Sequence, residues 1–143
     1  PMCFSPDICN YSEKGRAKIH ELQKAVNPIT LQKLMEHPIQ GQSTELNDNR
    51  ISLYVAQRGK CAICKEPLLL GEMEVHHITP KTSGGKDNYS NLALVTGDVH
   101  KLVHATDPVI IRKYLEKLKN CKLNMVKLNK FRLLAGNCKL EYR

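Results

Sequence analysis

The sequence has no tryptophan, only two phenylalanines and no long apolar run. Apolar stretches such as Leu92 to Val95 are far shorter than the roughly 20 residues that cross a bilayer, so a membrane-spanning protein is excluded. The chain does not open with a basic, apolar, small-residue succession, which predicts an intracellular protein of a bacterial cytoplasm or organelle matrix. It begins at Pro1 rather than methionine, which suggests a piece of a longer protein.

Acidic residues are scarce in the C-terminal part of the chain. Residues 109–143 contain ten Lys or Arg and two Glu, whereas residues 1–108 contain twelve basic and twelve acidic residues. The formal net charge of +8 therefore belongs to the C-terminal segment. Such a segment attracts polyphosphates and predicts nucleic-acid binding, with a solvated lysine-rich helix face as the alternative. The length of 143 residues suits one globular domain.

Six cysteines would suit a disulfide framework in a secreted protein, but an intracellular location disfavours it. Cys61 and Cys64 form a C-x-x-C pair whose spacing can direct two thiolates at one metal ion. A redox pair is disfavoured because the turn ends in Pro67 rather than in a thioredoxin-like helix. The other four cysteines are expected to be small buried hydrophobes.

The apolar periodicity and turn residues predict an α+β fold. Strands are predicted at 74–78 and 91–95, and they would pair in an antiparallel hairpin around a loop in which Asp87 caps backbone amides. Helices are predicted before Pro28, around 31–35, from a cap at Asp48 or Asn49 to Gly59, from a cap at Thr96 or Asp98 through Ala105, and at 108–118 and 123–135. Residues 38–49 are expected to form a loop. The predicted divisions are a helical linker or DNA-binding remnant (1–47), a core (48–106) and basic C-terminal helices (107–143).

Four of the six histidines lie within 29 positions: His76, His77, His100 and His104. Neighbours on a strand point to opposite faces, whereas residues four apart on a helix share a face. One strand histidine and a helix histidine could therefore bind one metal ion, while the other strand histidine acts as a base. Phosphodiester hydrolysis suits such a set, because neutral imidazole accepts a proton near pH 7 and a divalent cation offsets phosphate charge. The alternative is a group of core or helix-capping histidines.

The run GKCAICKEPLLLGEMEVHHITPKTSGGKDNYSNLALVTGDVHKLVHA resembles the HNH nuclease module. More closely, it is similar to the DNA endonuclease domain at the C-terminal end of group II intron-encoded reverse transcriptase/maturase proteins. The flanking DNRISLYVAQRGKC and LNKFRLLAGN are also similar to that family. The resemblance implies a ββα-metal core with flanking helices.

The resemblance also implies roles for individual residues. His77 matches the general base, and His76 and His100 match the ligands of Mg²⁺, Mn²⁺ or another divalent ion. Asn91 matches the central asparagine that braces the loop and orients the base. The catalytic motif of the family matches His77, Asn91 and His100 together. His104 would support His100 or contact phosphate.

The implied activity is nicking of one strand of double-stranded DNA in group II intron mobility. Intron RNA and an upstream reverse transcriptase portion would be the partners. The alternatives are a free-standing restriction or phage-type HNH nuclease and a nucleic-acid-binding module without catalysis. The side chains expected to contact DNA are Lys81, Lys86, Lys101, His104, Arg112 and Lys113.

The sequence departs from the pattern of the wider family at the ligands of a structural zinc ion. Many members of the wider family have a second cysteine pair, and the corresponding places here are assigned to Val99 and Val103. Zinc at Cys61 and Cys64 would therefore need ligands such as Cys121, Cys138 or an upstream cysteine, since structural sites almost always have four. Without zinc, the two valines would pack in its place.

Overall fold

The computed structural model describes residues 26–141, which contain five helices and one two-stranded sheet. The order is α1 (Pro28–Glu36), α2 (Thr44–Ala56), β1 (Met73–His77), β2 (Leu92–Thr96), α3 (Gly97–His104), α4 (Pro108–Lys117) and α5 (Met125–Leu134). The predicted α+β class with a ββα-metal core is confirmed, with β1, β2 and α3 as that core. Within residues 26–141, none of the helices is long and apolar enough to span a membrane.

The two strands pair antiparallel, with His76 opposite Ala93 and His77 opposite Leu92. The intervening loop contains two short 3₁₀ turns and two adjacent glycines that are needed for different reasons. Gly84 has a φ of 90°, a left-handed conformation that favours glycine. A Cβ on Gly85 would lie 1.8 Å from the Thr79 carbonyl oxygen, so only glycine lets the loop fold back against the end of β1.

Helix α2 begins earlier than the sequence predicted. Its N-cap is Ser43, whose Oγ accepts a hydrogen bond from the Leu46 backbone N–H at 3.0 Å, so the predicted cap at Asp48 or Asn49 is wrong. Leu46 is fully buried, and this packing extends the helix into a segment whose polar composition predicted a loop. The division predicted at residue 47 falls within α2, and the three-part division of the chain stays a prediction.

The other helix starts follow local capping. The Asp107 carboxylate accepts from the Val109 N–H at 2.8 Å, with Pro108 in the first turn, as predicted for α4. Thr96 caps α3 in the same manner. Pro28 begins α1 behind an Asn27 cap, and the helix predicted before it lies almost wholly outside the described residues.

The core lies between the sheet and helices α2, α3 and α5. Helix α3 contributes Val99, Leu102 and Val103, none of which is exposed, and α5 contributes Leu128 and Phe131. Helix α3 is therefore held against the sheet on one side and against α5 on the other.

Arg132 of α5 is buried and does not belong to the basic surface that the C-terminal charge predicts. Its Nη1 donates to the carbonyl oxygens of Leu102 and Ala105, the latter at 2.9 Å, and its Nε donates to the Cys138 carbonyl at 2.8 Å. These acceptors include orphan carbonyls at the C-terminal end of α3, which need a donor once they are buried. The guanidinium thereby fixes α5 to the end of α3.

Replacing Arg132 with methionine keeps an unbranched apolar stem but shortens the side chain and removes every donor. We expect the free energy of unfolding to fall by about 3 kcal/mol, because several buried carbonyls lose their partner. Urea denaturation followed by circular dichroism measures the loss. The control is Arg112→Met on exposed α4, expected to change stability by about 0.5 kcal/mol or less. Equal effects of the two substitutions would contradict the bracing role of Arg132.

Candidate metal centre and active site

Three histidines converge between β1 and α3. The ring centroid of His76 lies 5.5 Å from those of both His100 and His104, and the two helix rings are 4.7 Å apart. One ring nitrogen from each of the three lies within 4.8 Å of the others. Since β1 directs His76 at the face of α3 that carries residues 100 and 104, the pleat and the helical repeat together bring these nitrogens to one place. We call this set the histidine triad.

His76 forms the buried floor of the triad and is only 1% exposed. Its Nε2 is buried and has no hydrogen-bond partner among the described residues. Burial lowers the pKa of His76 to about 3, with a further contribution from the neighbouring histidines, so the ring is neutral at pH 7. A buried polar atom without a partner costs free energy unless something binds it, and a neutral imidazole is the form that binds a metal. The unpartnered Nε2 of His76 therefore fits the role of a metal ligand.

His100 is paired with a carboxylate that sequence reasoning missed. Its Nδ1 lies 2.6 Å from Oε2 of Glu74, which is two residues before His76 and so on the same face of β1. A carboxylate at one ring nitrogen fixes the tautomer and orientation of an imidazole and leaves the other nitrogen as donor. The signal in the sequence is the i, i+2 spacing of Glu74 and His76, which places both opposite α3.

His104 is the outermost member of the triad. The resemblance predicts a supporting or phosphate-contacting role for His104, but its ring lies as close to His76 as that of His100 does. Partial burial lowers the pKa of His104, which favours the neutral form there too. The structure thus offers three nitrogen donors where the sequence analysis assigned two.

His77 points to the opposite side of β1 from the triad, as strand alternation requires. Its Nε2 lies 2.8 Å from Oδ1 of Asp87 in the hairpin loop. His77 and His100 nevertheless line one groove of about 430 Å³, which passes the edge of β1 and has Arg50 of α2 on its wall. The two histidines that the sequence placed in separate roles therefore face a shared space from different sides of the strand.

Asp87 contacts side chains rather than the backbone amides that it was expected to cap. Its Oδ2 accepts a hydrogen bond from Ser43 Oγ at 2.6 Å, and Lys81 Nζ lies 3.4 Å from Oδ1. The hydrogen bond from Ser43, with those from His77 and Lys81, lowers the pKa of Asp87 to about 2. The carboxylate is therefore ionised at neutral pH.

Asn91 ties the two ends of the hairpin loop together. Its Nδ2 donates to the carbonyl oxygens of Thr79 and Lys86 at 3.0 and 2.9 Å, and its Oδ1 accepts from the Thr79 N–H at 2.8 Å. These contacts are of the bracing kind that the resemblance implies. Asn91 fixes the backbone next to His77 and Asp87.

The basic residues expected to contact DNA lie on helices α3 and α4 and on the hairpin loop. Lys101, Lys113 and Lys117 surround the Tyr114 ring, with each Nζ between 5.1 and 5.8 Å from its centroid. We call these three side chains the Tyr114 lysine cluster, of which sequence reasoning missed Lys117. The others are exposed, on the hairpin loop (Lys81, Lys86) and on α4 (Arg112).

Cys61 and Cys64 are both buried beside the start of α3. A hydrogen bond between the two thiols lowers the pKa of Cys61 to about 5 and raises that of Cys64. Cys64 Sγ lies 3.9 Å from Thr96 Oγ1, while Cys121 Sγ contacts Glu66 Oε1 at 3.2 Å. Among residues 26–141, the histidine triad alone brings three His, Cys, Asp or Glu donors within 4.8 Å of one another.

One comparison with known proteins agrees with this geometry. Residues 61–105, roughly a third of the chain, match the family model of the HNH endonuclease. The matched range begins at Cys61 and ends just after His104, so it contains β1, β2 and α3 with all four histidines. No curated protein and no solved structure matches the chain significantly. The match supports a nuclease function that acts on nucleic acid.

Proposed function

We propose that this chain is a metal-dependent DNA endonuclease of the HNH type. The observation that carries the proposal is the opposite placement of adjacent His76 and His77. One ring joins a cluster of donor nitrogens, and the other is held by a carboxylate in the groove that His100 also lines. Hydrolysis of a phosphodiester needs charge neutralisation and a base close together but chemically separate.

The histidine triad would hold the divalent ion. The unpartnered Nε2 of buried His76 and the carboxylate-oriented ring of His100 fit this role, and His104 supplies the third donor. Three imidazoles suit Mn²⁺ or another transition metal better than Mg²⁺, which prefers oxygen ligands. When bound, the ion would supply positive charge at a phosphate oxygen and at the departing oxygen.

His77 is the proposed general base. Asp87 occupies Nε2, so Nδ1 is the nitrogen available to take a proton from water. Asn91 maintains the loop that carries Asp87 and thus contributes to catalysis by positioning. His100 contributes as a ligand rather than by transferring a proton.

The basic side chains are proposed to bind the DNA backbone. Lys101 follows His100 directly on α3, so the same helix carries one member of the Tyr114 lysine cluster and two members of the histidine triad. Lys81 and Lys86 lie on the hairpin loop, where Lys81 contacts the same carboxylate as His77, and Arg112 lies on α4. Such contacts give affinity without sequence preference.

The proposed setting is group II intron mobility, in which a nicked strand primes reverse transcription. Its support is the resemblance of the module and its flanks to that family, and it implies intron RNA and a reverse transcriptase portion as partners. A free-standing restriction or phage-type nuclease is the alternative, and the presence of reverse transcriptase sequence upstream in the same reading frame discriminates the two. A structural zinc at Cys61 and Cys64 stays a prediction.

Alanine at His77 tests the proposed base. We expect plasmid nicking with Mn²⁺ or Mg²⁺ to fall by about 100-fold or more, since a general base contributes roughly 10² to 10⁴ in rate. DNA affinity should be retained, because the triad and the lysines are unchanged. The matched control is His37→Ala, which removes an exposed histidine outside the site. A parent chain that binds DNA but never cuts it with either ion would favour the binding-only module.

The substitution His104→Ala tests whether His104 binds the metal ion or only supports His100. As a third donor, its loss should weaken Mn²⁺ affinity by about 10-fold or more, the scale at which even outer-shell changes act. Isothermal titration of Mn²⁺ into the parent, His104→Ala and His37→Ala chains measures this. A Mn²⁺ affinity within about twofold of the parent value would show that His104 supports His100 and is not itself a ligand.

The Tyr114 lysine cluster can be tested by salt dependence. Replacing its three lysines with glutamine should reduce the slope of log affinity against log salt by about 2 to 3, near 0.9 per lost phosphate contact. The control replaces exposed Lys119, Lys122 and Lys139, which changes the net charge equally. Equal slopes for the two triple variants would show that net charge, not this cluster, governs binding.

A further inference from the structure

We propose that Asp87 and Ser43 form a positioning pair that holds His77 in one tautomer, with its Nδ1 free for the reaction. This inference rests on the proposed function for its catalytic consequence but not for its structural content. Asp87 would be a positioning residue, because it acts through His77 and does not contact the substrate. Ser43 would act one step further away, by fixing the carboxylate.

The charge of Asp87 fixes the direction of its hydrogen bond with His77. An ionised carboxylate can only accept hydrogen bonds, so the ring nitrogen 2.8 Å away must carry the proton. A neutral imidazole has one N–H, and with that proton on Nε2 the lone pair lies on Nδ1. The carboxylate therefore selects which nitrogen of His77 can act as a base.

Asp87 is itself anchored to α2 and its N-cap. Its Oδ2 accepts from Ser43 Oγ at 2.6 Å, and its backbone carbonyl accepts from Asn49 Nδ2 at 2.8 Å. Both partners belong to α2 or its cap, so two separate hydrogen bonds fasten this loop residue to one helix. The Asp87 side chain is 12% exposed, which leaves little room for water to replace these partners.

The two members of the pair come from different parts of the chain. Ser43 is the N-cap of α2 and lies outside residues 61–105, the range that matches the HNH endonuclease family. The same hydroxyl accepts from the Leu46 N–H and donates to Asp87, so one side chain both starts the helix and fixes the carboxylate. The orientation of His77 thus depends on a helix upstream of the matched module.

The tautomer can be measured without any activity. Long-range ¹H–¹⁵N correlation spectra of the histidine-labelled full chain, taken where imidazoles are neutral, distinguish a proton on Nε2 from one on Nδ1, and His77→Gln assigns the signal. We expect the Nε2–H form in the parent. In Asp87→Asn we expect a mixture, because an amide can accept from or donate to the ring. An Nδ1–H parent, or an unchanged Asp87→Asn spectrum, would overturn the proposal.

Kinetics then test the consequence. In Asp87→Asn we expect kcat for nicking to fall by roughly 10- to 100-fold, within the range that a general base supplies, while KM for DNA stays level or falls as a negative charge is lost. Asp107→Asn is the charge-matched control, since asparagine caps a helix as well as aspartate does. A raised KM with unchanged kcat would show that Asp87 serves binding only and would contradict the positioning role.

Ser43→Ala tests the second member of the pair. We expect a smaller fall in kcat, about 2- to 10-fold, together with a partial loss of the Nε2–H form. Asn124→Ala removes the N-cap of α5 and controls for the loss of a cap alone. Identical results for the two variants would remove Ser43 from the proposal. If the parent never cuts DNA yet shows the Asp87-dependent tautomer, the proposed function fails and the positioning pair stands.

Discussion

The arrangement of this site depends on the two-residue repeat of β1. Adjacent side chains on a strand leave it on opposite faces, so His76 and His77 cannot serve the same centre. His76 is enclosed against α3 and the Phe131 ring, with the ring centroids 4.9 Å apart, whereas His77 faces the hairpin loop. A shift of one residue in the register would exchange these environments and place an ionised loop carboxylate opposite the wrong ring.

The strand can impose this separation only because α3 is held firmly against it. Thr96 starts the helix directly at the end of β2, so no linker separates the sheet from the helix that carries His100 and His104. Arg132 ties the other end of α3 to α5 through buried hydrogen bonds. The C-terminal segment therefore contributes packing and one buried charge as well as the basic surface that its composition predicts.

Local signals in the sequence predicted most of the fold. The Asp107 and Pro108 pair marks the start of α4, and the histidine spacings give a shared helix face and opposed strand faces, because these features depend on near neighbours alone. The predicted start of α2 was wrong, because the burial of Leu46 stabilises the helix despite the polar residues around it. Tertiary packing of this kind is not visible in a window of polar residues.

The contacts that sequence reasoning missed are between residues distant in the chain. Glu74 contacts His100 across 26 positions and Ser43 contacts Asp87 across 44. The spacing of Glu74 and His76 indicates a shared strand face, but neither local sequence specifies the partner residue. The burial of Arg132 could not be predicted for the same reason, since a lysine-rich segment does not indicate which basic side chain is buried. Residue types and spacings identified the imidazoles, and only the packed chain shows what orients them.

The imidazoles of His76, His77 and His100 are held in two different ways. His77 and His100 are accessible to water, and each has a carboxylate at one nitrogen, which fixes the proton there and leaves the other nitrogen free. His76 has no such partner among the described residues, but burial keeps it neutral and holds its ring in place. A carboxylate next to His76 would stabilise the charged form in the interior and reduce the availability of its lone pair. The carboxylates at the two partly exposed rings therefore serve to orient them, whereas burial keeps the ring of His76 neutral and its lone pair available to a metal ion.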